Sequence, residues 1–197
     1  MPEEASFVDL IHRVRSGDQA AATELVRRYE PAIRRAARYR LADAGLVKIL
    51  DSMDICQSVL ASFFVRAAAG QYDLNTPEQL LKLLVTMARN KVASQARRER
   101  ADRRDRRRTG RSDRDPAELV AVGSAPVEQL ADRELLQTVY SRLSPEERVL
   151  VDLRHQGHDW QAIASRLGST SAVLRKRLSR ALDRITRQLG LEEPSDE

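Results

Sequence analysis

Three groups of residues in this chain have types and spacing suited to chemistry, and each suits a polyanion or a protein surface. The first is Ser169-Thr170-Ser171 followed by Arg175, Lys176, Arg177 and Arg180. Small polar residues that cap a helix leave backbone N–H groups free to meet a phosphate. An arginine on such a helix pairs bidentately with guanine or with a phosphate. The second is Arg89, Asn90, Lys91, Gln95, Arg97 and Arg98. A cationic track interleaved with amides suits a nucleic acid, and Asn90 either bonds a base or caps a neighbouring loop. The third is Asp54, Gln57 and Ser58, within about one helical turn and so on one face. A carboxylate there meets an arginine of a partner, or simply sits in a first helical turn that favours acids.

Catalytic and metal-binding patterns are missing. His155 and His158 stand three apart beside Asp152 and Asp159, but His12 is the only other histidine and Gly157 interrupts the helix between them. No metal site is expected. The lone cysteine, Cys56, has no histidine near it in sequence, and packing is its expected role. The chain holds no GxxxxGK[ST], GxGxxG or GxSxG, so no enzyme and no cofactor are expected.

The 197 residues are 42% apolar but only 4% aromatic, so Leu, Val, Ile and Ala must fill the cores. The net charge of +5 hides an asymmetry. From Arg89 to Arg114 there are 12 basic and 4 acidic residues, +8 net, which leaves −3 elsewhere. Such a local basic stripe marks either a nucleic-acid footprint or a solvated linker in which Glu99, Asp102 and Asp105 pair along a helix. No apolar run reaches the roughly 18 residues of a membrane span. The first residues lack the layout of a secretory signal. A cytoplasmic protein with no membrane insertion is expected.

Helical periodicity dominates, and the expected fold class is all-α. Phe7, Leu10, Ile11 and Val14 share one face, and Ser16-Gly17-Asp18 caps the next helix. That helix carries Leu25, Tyr29 and Ile33, with Pro31 expected to start or kink a turn. A third helix spans about 53–69. Residues 70–77 form a loop in which Tyr72 is the only aromatic, placed either to stack on a base or to close the bundle. A fourth helix runs from about Glu78 towards Arg100. Residues 101–127 read as an arginine-rich linker, helical at most at its start. Beyond it, Ser144, Pro145 and Glu147 form a capping box. Asp159 caps a short helix that ends at Gly168, and the Ser169-Thr170-Ser171 turn opens a basic second helix. That is a helix-turn-helix. Val173 or Leu174, with Leu178 and Ile185, is expected to pack inward.

In order and separation these parts resemble the bacterial extracytoplasmic-function (ECF) sigma factors, over most of residues 5–190. LIHRVRSGDQAAATELVRRYEPAIRRAARYRL resembles the start of the sigma-2 domain. DICQSVLASFF resembles the stretch that grips the clamp helices of the largest polymerase subunit. LLKLLVTMARNKVASQARR resembles the helix that reads the −10 element, and SPEERVLVDLRHQGHDWQAIASRLGSTSAVLRKRLSRALDRI resembles the sigma-4 domain, which reads the −35 element. The resemblance implies a sigma-2-like helical domain at 5–100, a linker at 101–127 and a sigma-4-like domain at 128–190. It implies core RNA polymerase and promoter DNA as partners, and an anti-sigma factor as a further candidate. Asp54, Gln57 and Ser58 would then face polymerase. Arg89, Asn90, Lys91, Gln95, Arg97 and Arg98 would face the −10 element. Ser169, Thr170, Ser171, Arg175, Lys176, Arg177 and Arg180 would face the −35 element. The implied function is promoter selection by core polymerase with assistance in melting. The competing reading is a helix-turn-helix regulator that works without polymerase.

Overall fold

A computed structural model describes residues 2–47, 50–109 and 133–189, and these form eight helices with no strand. The expected linker from 110 onward and the start of the expected 128–190 domain lie outside the described residues.

Helix α1 (Pro2–Arg15) buries Phe7, Leu10, Ile11 and Val14. The Asp18 carboxylate then caps α2 (Gln19–Asp43), accepting from Ala20 N at 2.9 Å and Ala21 N at 3.1 Å. It also meets Arg13 at 2.8 Å. These bonds hold the Asp18 carboxyl below its ordinary range, the backbone bond from Ala21 leading and the Arg13 bond next. Helix α2 runs unbroken through Pro31, contrary to the expected turn. Pro31 lies on the exposed side, where water can serve the carbonyl that proline leaves unpaired. The opposite face buries Leu25, Tyr29, Ile33, Ala37 and Leu41 at a spacing of four. That stripe keeps the helix together.

Helix α3 (Ser52–Ala68) follows, capped by Asp51. Helix α4 (Pro77–Thr109) buries Leu80, Leu84, Ala88, Val92 and Ala96 at the same spacing of four. It continues past the expected boundary near Arg100, so the first part of the expected linker is helix. Glu99 supports this extension through an ion pair with Arg103 at 3.5 Å. Helices α1 to α4 enclose one apolar core.

The second unit contains α5 (Arg133–Ser141), α6 (Pro145–His155), α7 (Trp160–Leu167) and α8 (Ser171–Gln188). The capping box is present: Ser144 Oγ accepts from Glu147 N at 3.3 Å, and Glu147 accepts from Ser144 N at 2.8 Å. Asp159 caps α7, accepting from Ala162 N at 2.7 Å. Gly168 ends it with φ 62° and ψ 37°, the left-handed turn expected from the sequence. The core is Trp160, Ile163, Leu150, Leu174, Leu178, Leu182 and Ile185, with Val139 and Leu143 from α5 and the segment after it. Two residues of α3 and its end, Val65 and Ala69, belong to this second core rather than the first.

A Cβ at position 168 would meet nothing within 4 Å, so the backbone angle alone sets the cost of adding one. Gly168→Ala is expected to destabilise the second unit by about 1 kcal/mol. Chemical denaturation followed by circular dichroism checks it.

Candidate nucleic-acid interface

The helix-turn-helix is built from the turn outward. Thr170 is the N-cap of α8, its Oγ1 accepting from Val173 N at 3.3 Å. Ser171 Oγ donates to the Trp160 carbonyl at 3.1 Å and ties the start of α8 to the start of α7. Two of the three hydroxyls expected at a phosphate thus have structural partners, and Ser169, just before them, is half-buried. What remains for a phosphate is the backbone of this turn and the cations beyond it. Leu174 packs inward, whereas Val173 is 57% exposed.

The four cations of α8 expected at the −35 element fall into two kinds. Among the described residues, Lys176 and Arg180 are exposed and make no ion pair. Arg177 meets Glu146 at 2.6 Å, with both side chains largely in water. Arg175 meets Asp73 at 2.9 Å, and its guanidinium lies 5.8 Å from the Trp160 ring centroid. Arg184, further along the same helix, clamps Glu147 at 2.9 Å. Burial pushes the Glu147 carboxyl up, but the bonds from Arg184 and Ser144 N outweigh it and hold it below the ordinary value of 4.5.

On α4 the expected track divides. Asn90, Lys91 and Gln95 line a cleft of about 330 Å3 with Ser58, Arg66 and Tyr72. Arg97 is exposed and Arg98 half-buried. Arg89 and Lys91 lie about 200° apart around the helix, on opposite flanks of the buried stripe. Arg89 therefore does not join the cleft. Tyr72 is stacked on Phe63, rings 6.0 Å apart and 7° from parallel, while it also lines the cleft. Its ring both closes the bundle and contributes to the cleft wall.

On α3, Asp54 is exposed, with Gln57 and Ser58 half-buried one turn later. They share a face as the spacing requires, and Ser58 belongs to the cleft as well. Asp54 also stands in the first turn of its helix.

Four residues absent from the sequence reading join the two units. Arg154 of α6 donates to the Gly70 carbonyl at 2.7 Å and to the Asp73 carboxylate. Its guanidinium lies 5.2 Å from the Trp160 ring centroid. Arg66 of α3, 7% exposed, pairs with Asp183 of α8. Arg66 carried a signal: it is the only charge in Leu60–Ala69, and a charge inside an apolar helix demands a partner. Among the described residues no cluster of His, Cys, Asp or Glu could hold a metal ion. No described helix is long and apolar enough to cross a membrane.

A family model described as ECF sigma factor matches residues 4–190. Neither the curated proteins nor the solved structures yield a match.

Glu147→Gln removes the charge that meets Arg184 but keeps the shape. It is expected to destabilise the second unit by about 1 kcal/mol, since Arg184 is half in water. Because the carboxyl is depressed in the folded chain, the wild type holds this contribution above the unfolded glutamate value. It loses it as pH falls through the lower, folded one. Urea denaturation of both proteins at neutral pH and near pH 3 checks the sign: the gap should close in acid.

Proposed function

The chain belongs to the ECF sigma factor family, whose members act in transcription initiation with core RNA polymerase and promoter DNA, and we propose that it directs core polymerase to specific promoters and assists their melting. The observation that carries this is α8. It is the second helix of a helix-turn-helix with a left-handed glycine turn, and it presents Arg175, Lys176, Arg177 and Arg180 outside its packed face. Entering a major groove, that face would supply phosphate contacts for position and arginine contacts to base edges for sequence.

The first unit supplies the other two activities in this reading. Asn90, Lys91 and Gln95 form a polar wall of the first unit, with Tyr72 beside them, suited to an unpaired strand. Arg97 and Arg98 extend the track along α4, and Arg89 serves a separate phosphate from the opposite flank. Asp54 and Gln57, with Ser58, form the polar ridge of α3 offered to the clamp helices of the largest polymerase subunit. The sigma-2-like unit then spans 5–100 and the sigma-4-like unit 128–190. The matched family is not one of enzymes, so the chemistry of RNA synthesis stays with polymerase.

Run-off transcription with purified core polymerase and a library of upstream genomic fragments tests this directly. Discrete transcripts that require the protein are expected. Asp54→Ala should abolish them by weakening the core complex. Arg175→Ala with Arg177→Ala should leave the core complex intact and cut promoter-specific transcripts about tenfold or more, as loss of bidentate base contacts does. Tight duplex binding by the protein alone, with neither core complex nor transcripts, would instead identify a free-standing regulator.

A further inference from the structure

The surface of the first unit assigned to DNA faces one flank of α8. Tyr72, Asn90, Lys91 and Gln95 form one side of the cleft, and Ser179 and Asp183 of α8 form the other. A space of about 330 Å3 is at the small end of pockets for small molecules and cannot admit a duplex. In this arrangement the Arg175 flank of α8 is turned to the first unit, whereas Lys176, Arg177 and Arg180 stay exposed on its outer side. The contacts that hold it there are apolar at Val65 and Ala69 and polar around one carboxylate. Asp73, in the loop between α3 and α4, accepts from Arg154 of α6 and, through its other oxygen, from Arg175 of α8. Both arginines also stack against Trp160. Around this centre, His155 Nε2 meets the Ala68 carbonyl at 2.6 Å and Arg66 meets Asp183. Gly70 sets the spacing: a Cβ there would lie 2.7 Å from Arg154 Cβ.

We propose that Asp73 is an autoinhibitory clamp, which holds the Arg175 side of α8 against the first unit and keeps that side from contacting duplex DNA in the free chain. The proposal rests on α8 being the duplex-reading helix. Asp73 mimics the phosphate that Arg175 would otherwise contact. The pair is reversible by construction, because Asp73 is 39% and Arg175 54% exposed and each exposed ion pair is weak. A strand of phosphates competes with it, and salt screens it. The clamp acts on α8 from the loop, so it needs nothing from residues 110–132.

The test uses the full chain. Asp73→Asn removes the charge with little change in shape, and Gly70→Ala pushes against Arg154 independently of charge. Asp43→Asn, an exposed acid that pairs with Arg40 far from the cleft, controls for the altered net charge. Small-angle scattering gives the radius of gyration, and the emission of Trp160, the only tryptophan, follows release of the two arginines. Anisotropy with a labelled random-sequence duplex of about three turns, at one fixed salt, gives affinity. If about a tenth of the wild-type molecules are open, Asp73→Asn tightens duplex binding about tenfold and Gly70→Ala moves the same way. Both variants are expanded at low salt, and added salt expands the wild type towards them.

Unchanged dimensions in both variants overturn the clamp. Expansion without tighter duplex binding, or tightening no greater than that of Asp43→Asn, overturns autoinhibition. Adding Arg175→Ala to Asp73→Asn separates the two layers. If the gain in affinity disappears, Arg175 reads duplex and the clamp masks it. If the gain persists, the clamp stands and the assignment of Arg175 to DNA falls.

Discussion

The second half of α3 is buried from two sides, and the rest of the architecture is arranged around that fact. Ile55, Cys56, Val59, Leu60 and Phe63 belong to the first core, whereas Val65 and Ala69 belong to the core built by α5 to α8. A helix apolar nearly all round must be covered all round. Here the cover on one side is another unit of the same chain. That shared helix also carries Ser58 into the cleft and ends where the Gly70–Asp73 loop begins.

Arginine does much of the joining that aromatic residues do elsewhere. The chain is poor in aromatics, and Trp160 is the only tryptophan. Arg154 and Arg175 each place a guanidinium within 6 Å of its ring centroid, so the one large ring of the second unit is finished by cations. The planar guanidinium can stack on the ring and still donate sideways to Asp73, which an ammonium could not reproduce. Burial also has a cost here. Arg15 donates to the Tyr72 carbonyl, and its pKa is lowered by burial first and by the nearby Arg154 next. The junction therefore crowds three arginines around one carboxylate, an arrangement stable enough to form yet open to displacement by phosphate.

What could be read from the sequence was local. The capping box at Ser144, the Asp159 cap, the glycine turn at 168 and the spacing-of-four stripes of α2 and α4 are contacts within about one turn, where residue type and spacing determine the outcome. The matched family confirmed the all-helical, ECF-type reading. Pro31 was misjudged because a proline on an exposed face costs one hydrogen bond while five buried residues opposite hold the helix. The roles of Asp73, Asp183 and Arg154 could not be read, because their partners lie roughly 80 to 117 positions away. The role of Arg184 was hidden for the same reason: its carboxylate is 37 residues distant. The residues proposed for DNA and polymerase were legible as types. Their grouping was not, since it depends on which flank of α4 faces the cleft.

Cys56 is the chain's only sulfhydryl, 1% exposed, and burial pushes its pKa up to about 12. Peroxides and disulfides react with the thiolate, and near neutral pH almost none is formed here. No second cysteine exists to resolve a sulfenic acid. Oxidative stress can therefore leave no reversible thiol mark on the folded protein itself. An oxidant signal that reaches this chain must act through something other than Cys56.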